Sequence, residues 1–201
     1  MRHHPAVTQR MSVEIREEPI AAMPTLGEVS IAFRVEQIFE PMDSERGLSG
    51  FPLRETSVDH PYVKDYDQVS GDGPASWADN FDVSRWGLIT ARRNGVLIAG
   101  AVMASRTPGL DILQGRDDLA AVCDIRVQPE SRGAGIGSLL FSACEDWART
   151  RGCTQLVIET QNTNVPACKF YYAMGCMLGA INRNAYPALP QEIQLFWFKD
   201  L

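Results

Sequence analysis

No run of this 201-residue chain approaches the roughly 20 apolar residues that a membrane-spanning helix needs. Met1 to Arg10 holds two histidines and no apolar core, so it does not read as a secretory signal; Met11 offers a second candidate start. Cysteine is sparse: five residues, an odd number, none in C-x-x-C spacing. That argues against a disulfide framework and against zinc or another bound metal, and suits a reducing, cytoplasmic compartment. Histidine ends at His60, so no imidazole follows to activate a cysteine nucleophile such as Cys123 or Cys168. Positive charge is outweighed, 19 Lys and Arg against 25 Asp and Glu, a net −6. That disfavours nucleic acid as the main partner and suits a small cationic one, whose encounter it would steer. There is no internal repeat, linker or low-complexity tract, and the length fits one domain. A homodimer is one assembly the sequence leaves open.

The richest pattern is Val122-Cys-Asp-Ile-Arg-Val-Gln-Pro-Glu-Ser-Arg-Gly-Ala-Gly-Ile-Gly-Ser-Leu-Leu140. Val122, Ile125 and Val127 are strand formers. Gly133, Gly135 and Gly137 permit positive φ and close approach of a ligand. Leu139, Leu140, Ala143, Cys144 and Trp147 then recur at helical spacing. Arg132, Gly133, Ala134, Gly135, Ile136, Gly137 and Ser138 would thus aim free amides at an anion such as a phosphate. A P-loop is excluded, because Ser138 and Leu139 stand where Lys-Ser/Thr is required. The dinucleotide fingerprint is weakened by Ser138 at its third glycine, although Glu159 has the spacing of a ribose-binding acid. A plain strand-to-helix turn also stays open, but three alternating glycines weaken a helix start without a compensating role.

In chain order, residues 1–27 read as a poorly ordered lead-in and 28–201 as the folded domain. Val29, Ile31, Phe33 and Val35 alternate in a first strand reaching Phe39. Residues 43–82 are irregular, punctuated by Gly47, Gly50, Pro52, Pro61, Gly71, Gly73 and Pro74. There acids (Asp59, Asp65, Asp67, Asp72, Asp79, Asp82) mix with aromatics (Tyr62, Tyr66, Trp77, Phe81, Trp86), a composition suited to an organic cation. We single out Asp59, Tyr62, Tyr66, Trp77 and Phe81 as candidate substrate contacts. Asn94-Gly95 between apolar runs predicts a hairpin of 87–91 with 96–104. A strand over 119–127, a helix from about Gly137 to Arg151 and a buried parallel strand over 154–160 follow. A helix from Asn164 to Met174 and strands over 176–181 and 192–198 complete an α/β domain with a mixed sheet. Asp124 and Glu159, acids in adjacent buried strands, are costly unless paired or functional. They are candidates to hold an ammonium and take its proton, Asp124 first.

Two motifs carry a family resemblance. The strand, glycine loop and helix of 122–151 resemble the pyrophosphate loop of the GNAT superfamily of N-acetyltransferases. Asn164-Val-Pro-Ala-Cys-Lys-Phe-Tyr171-Tyr-Ala-Met-Gly175 resembles its second motif, with Cys176 where phenylalanine is usual. Pro61-Tyr-Val-Lys-Asp-Tyr66, Asp124-Ile-Arg-Val127 and Ile158-Glu-Thr-Gln-Asn-Thr-Asn-Val-Pro-Ala-Cys-Lys-Phe-Tyr171 are similar to the streptothricin acetyltransferase group within it. The resemblance covers roughly residues 60–201. It implies a GNAT fold, a mixed sheet with splayed parallel strands flanked by helices, and acetyl transfer from acetyl-CoA to an amine. It also implies that free peptide groups of Ile125, Arg126 and Val127 pair with the pantetheine arm and that Asn164 steadies the cofactor. Tyr171 would donate a proton to the leaving thiolate. The acceptor implied is a small cationic amine of the streptothricin type. A protein or peptide N-acetyltransferase, or an acyl-CoA sensor without turnover, are the alternatives.

Overall fold

The computed structural model describes residues 12–42, 52–68 and 73–201. The second candidate start at Met11, the first eleven residues of the lead-in, and Gly47, Gly50, Gly71 and Asp72 lie outside them. Asn94 and Gly95 both take positive φ, 52° and 79°, which a two-residue hairpin turn requires. They join β4 (Gly87–Arg93) to β5 (Val96–Ser105), nearly as the apolar runs predict. Around this hairpin lie β1 (Val13–Glu18), β6 (Leu119–Val127), β7 (Gln155–Gln161), β8 (Met177–Asn182) and β9 (Gln194–Asp200). The sheet order is β1-β4-β5-β6-β7-β9-β8. Every neighbouring pair is antiparallel except β6 and β7. That is the mixed sheet with one parallel step that the sequence suggests.

Helices α2 (Ile136–Thr150) and α3 (Val165–Ala173) cover one face through Leu140, Phe141, Cys144, Trp147, Cys168 and Tyr171. The other face packs Met23, Leu26 and Val29 with Trp86, Leu88, Val102 and Leu113. A single-turn helix α1 (Trp77–Asn80) borders that side. Gly175 (φ 83°) lies just beyond α3, and α2 closes at Arg151 before Gly152 (φ 75°), as read from the glycines.

Two expectations are corrected. The lead-in is not loose where it is described. β1 pairs with β4 over Val13↔Arg93 to Glu18↔Leu88, and residues 20–28 form a 3-10 segment whose Met23 and Leu26 are fully buried. The apolar positions of β1, Val13 and Ile15, sit among Glu14, Arg16, Glu17 and Glu18, so its edge-strand character reads as polar chain. Glu18 joins it to β4 by accepting from Arg92 Nε (2.8 Å) and Thr90 Oγ1 (2.9 Å).

The irregular segment is also more regular than its punctuation suggests. β2 (Phe33–Pro41) starts four residues later than expected and pairs with β3 (Leu53–Lys64) in a separate two-stranded sheet. The register jumps from Val35↔Tyr62 to Gln37↔Ser57, so residues 58–61 bulge out opposite one residue of β2. Pro61 has no N–H for the ladder and falls within that bulge, which is why the strand cannot be read through it.

Candidate active site

The site exists because the parallel pairing stops early. β6 and β7 pair only from Leu119↔Gln155 to Val122↔Ile158. Beyond that point each keeps its outer partner, β6 with β5 to Ala99↔Val127 and β7 with β9 to Gln161↔Gln194. The β5–β6 register slips at Cys123, between Met103↔Val122 and Val102↔Asp124. A bulge bends its strand, and this one falls where β6 leaves β7. The inner edges of 123–127 and 159–161 therefore face a cavity of about 890 Å³.

At one end of the cavity lie Gly133, Gly135, Gly137 and Ser138. Gly133 and Gly135 have φ of 74° and 80°, and a Cβ built on either meets no atom within 4 Å. The loop is thus an open cradle over the first amides of α2, and a phosphate fits where a side chain would intrude. Arg132 lines it as well, but its guanidinium donates to Val127 O (2.9 Å), Ala32 O (3.0 Å) and Ser30 O (3.1 Å). It stitches the chain before β2 to the loop. Ala134 is exposed outside the lining, and Ile136 is buried in the core. Ile125, Arg126, Val127 and Asn164 all border the cavity, and Asn164 Oδ1 also caps α3 by accepting from Ala167 N (3.2 Å).

The acids lie at the splay. Asp124 accepts from Arg126 Nε (2.9 Å) at one oxygen and from Arg126 Nη2 at the other. Asp67, just past β3, takes Arg126 Nη1 (2.9 Å). The Arg126 and Asp124 side chains are only 1% and 5% exposed. Burial works against the Arg126 charge, yet Asp124 and then Asp67 outweigh it and raise its pKa. The resemblance implies a backbone contact at Arg126; its side chain, for its part, holds two carboxylates. Glu159 also lines the cavity, and its Oε1 accepts from Tyr186 Oη (2.7 Å).

Tyr171 is 5% exposed, packed edge-on to Phe170 at 5.4 Å, and borders the cavity. Among the described residues its hydroxyl has no hydrogen-bond partner. Burial, then the field of Asp124, pushes its pKa well above 10, so it stays a neutral donor. Tyr66 packs tilted against Phe33, ring centroids 5.6 Å apart, and its hydroxyl donates to Gln161 Oε1. Trp77 and Phe81 line the far wall against Trp86, at 5.7 and 5.9 Å. Asp59, in the bulge of β3, and Tyr62, 41% exposed, do not line the cavity. Gln161 and Tyr186 are not among the site residues that the sequence points to. Strand alternation does put Gln161 on the same face as Glu159, whereas Tyr186 sits in a loop with no pattern to announce it.

Amides above a helix start accept any phosphate. What narrows the class is the unpaired β6 edge, which leads from that cradle to Glu159 and Tyr171. An extended amide arm pairs with such an edge, so a diphosphate, an arm and a reactive end are accommodated in line, the layout of an acyl-coenzyme A. The fold and site therefore define an acyl transferase. Residues 54–176 match the Acetyltransferase (GNAT) family model, more than half of the sequence, and the chain belongs to that family. It is an acetyl-CoA-dependent N-acetyltransferase.

Among curated proteins, the chain is 29% identical over 171 residues to a streptothricin acetyltransferase of Escherichia coli, covering 83% of this chain and 84% of that one. It is 29% identical over 143 residues to one of Streptomyces lavendulae, with 71% of each covered. Among solved structures, nourseothricin acetyltransferase superposes with a TM-score of 0.71 at 25% identity, covering 94% and 98%. An acetyl coenzyme A complex from Bacillus anthracis str. Ames superposes at 0.74 with 22% identity, covering 94% and 100%.

Proposed function

We propose that this enzyme acetylates a primary amine of a small cationic molecule of the streptothricin kind. The observation that carries the reading is a single cavity shared by the glycine cradle, the splayed strand edge, Glu159, Tyr171 and an aromatic wall of Trp77, Phe81 and Tyr66. The likeness to streptothricin acetyltransferases over most of the chain supports it.

Bound acetyl-CoA supplies an acetyl thioester whose carbonyl carbon accepts the amine and whose sulfur leaves as the thiol. The amides of Gly133 to Ser138 hold the pyrophosphate. The free edge of Ile125 to Val127 orients the arm, with Asn164 beside it, and the Val127 N–H polarises the carbonyl. Glu159 attracts the acceptor ammonium. An alkylammonium with a pKa near 10.4 does not surrender its proton freely to a carboxylate. The ammonium therefore first gives one proton to solvent, and the small neutral fraction attacks through its lone pair; once the C–N bond has formed the nitrogen is no longer basic, and Glu159 takes its second proton. Tyr171 gives its hydroxyl proton to the departing sulfur, which leaves as the thiol, and the phenolate regains a proton from solvent. Asp124, engaged at both oxygens by Arg126, contributes field and shape, so the order of the two acids expected from sequence is exchanged. Trp77 and Phe81 receive the remaining cationic bulk of the acceptor.

Thiol release with acetyl-CoA and a panel of streptothricin, an aminoglycoside, a polyamine, lysine and a basic peptide tests this reading. It predicts turnover with streptothricin. Turnover with the peptide alone would replace it by a peptide N-acetyltransferase, and coenzyme A binding without any product would replace it by a sensor.

A further inference from the structure

A chain of side-chain hydrogen bonds leads from Tyr66 through Gln161 and Tyr186 to Glu159. Tyr66 Oη donates to Gln161 Oε1, Gln161 Nε2 donates to Tyr186 Oη (2.7 Å), and Tyr186 Oη donates to Glu159 Oε1 (2.7 Å). Donor counting fixes this polarity. A phenol has one hydrogen. Were the Gln161 amide reversed, Tyr186 would face two acceptors with one hydrogen, and Tyr66 would face a donor. With Nε2 toward Tyr186, that oxygen is occupied as an acceptor and its own hydrogen is committed to Glu159. Burial pushes the Tyr186 and Tyr66 phenols above their ordinary values, so both remain protonated donors at any working pH.

The loop that presents Tyr186 is braced from Tyr186 to Ile193, the side that leads into β9. Leu189 N donates to Tyr186 O (2.9 Å) and Glu192 N donates to Leu189 O (2.8 Å). Glu192, buried, pairs with Lys64 at the end of β3. Asn162, two residues past β7's Thr160, accepts from Ile193 N (2.8 Å) and donates from Nδ2 to Phe39 O (3.0 Å). Tyr186 is thus a fixed group rather than a passing loop side chain.

We infer that Tyr186 is a positioning residue for Glu159, oriented by Gln161, which ties one carboxylate oxygen and leaves the other for the acceptor amine. The inference rests on the role given to Glu159 above. Removing a hydrogen bond to an ionised group is felt strongly, so Tyr186→Phe should lower kcat roughly tenfold or more. The KM for acetyl-CoA, which is held by the glycine cradle, the free edge of Ile125 to Val127 and Asn164, should stay unchanged.

The test is steady-state thiol release by the full chain with acetyl-CoA and streptothricin, for Tyr186→Phe, Gln161→Leu and Glu159→Gln, each singly and Tyr186→Phe in the other two backgrounds. Thermal midpoints accompany each variant to confirm folding. The inference predicts that Tyr186→Phe and Gln161→Leu lose similar kcat. It also predicts that Tyr186→Phe costs nothing further in Glu159→Gln, because the group it positions is gone. A low kcat for Glu159→Gln with wild-type kcat for Tyr186→Phe would overturn the inference and leave the role of Glu159 standing. Wild-type kcat for Glu159→Gln would remove that role and the inference with it. A drop that multiplies fully in the Glu159→Gln background would mean Tyr186 acts elsewhere, and would also overturn it.

Discussion

Replacing Gly135 by alanine separates folding from cofactor binding. Gly135 precedes α2 at φ 80° and ψ 0°. An L-residue in the left-handed region costs about 1 kcal/mol relative to glycine. The new Cβ would meet no atom within 4 Å, so no clash adds to that cost. In a chain of this size 1 kcal/mol moves Tm by about 2–4 °C. The effect on binding is of another kind. A phosphate oxygen must come within about 3 Å of the amides of the cradle, and a methyl there holds it off. At a concentration 100 times its Kd, acetyl-CoA stabilises the native chain by about 2.7 kcal/mol. By the same conversion that is roughly 5–11 °C. Scanning fluorimetry across an acetyl-CoA titration should show Gly135→Ala starting about 2–4 °C low and failing to rise where the wild type rises in full. A variant with the small initial loss but the wild-type rise would refute the placement of the pyrophosphate in this loop.

Tyr171→Phe should lower kcat by about 100-fold while leaving acetyl-CoA affinity intact, read by thiol release and equilibrium binding; unchanged kcat would remove the hydroxyl from the chemistry. A Cβ at Gly100 would lie 2.4 Å from Leu26 Cδ1, so Gly100→Ala should destabilise by roughly 1–3 kcal/mol in urea unfolding. Its loss should be less than additive with that of Leu26→Ala, and full additivity would deny that residues 20–28 pack on β5. Arg92 above all holds the Glu18 carboxyl down at about 2, against 4.5 ordinarily. A lowered carboxylate pKa gives stability present above the unfolded value and lost on acidification. The Tm gap between wild type and Glu18→Gln should therefore be constant above about pH 5 and close as pH falls from 4.5 toward 2. A gap indifferent to pH over that window would contradict the link between β1 and β4.

The parts of the fold that were legible are those where local chemistry and tertiary role coincide. Asn94-Gly95 dictates its turn whatever surrounds it, and β6 keeps the bounds 119–127 because its apolar run is buried on both faces. The glycine cradle could be read because positive φ is a local demand. β1 was missed because an edge strand needs few apolar residues and carries charges outward. β3 was missed because its pairing is broken by a bulge around Pro61. At the site, Asp124 and Glu159 stood out as acids in buried strands, but what distinguishes them is nonlocal. Arg126 lies two residues from Asp124 on the same strand face, yet the strand could equally have turned its side chain to solvent. Tyr186 reaches Glu159 only through the path of the β8–β9 loop, which no periodicity encodes. Asp59 and Tyr62 have the right composition for a cation, but neither lines the cavity: Asp59 lies in the bulge of β3 and Tyr62 is exposed.

Mass spectrometry of streptothricin after incubation with acetyl-CoA, read beside released thiol, tests most directly whether Glu159 and the glycine cradle serve one reaction, acetylation of a small cationic amine. One acetyl group on a primary amine for each thiol released, lost together in Glu159→Gln, is the result expected. Thiol release with no acetylated streptothricin, or equal acetylation by Glu159→Gln, would contradict it.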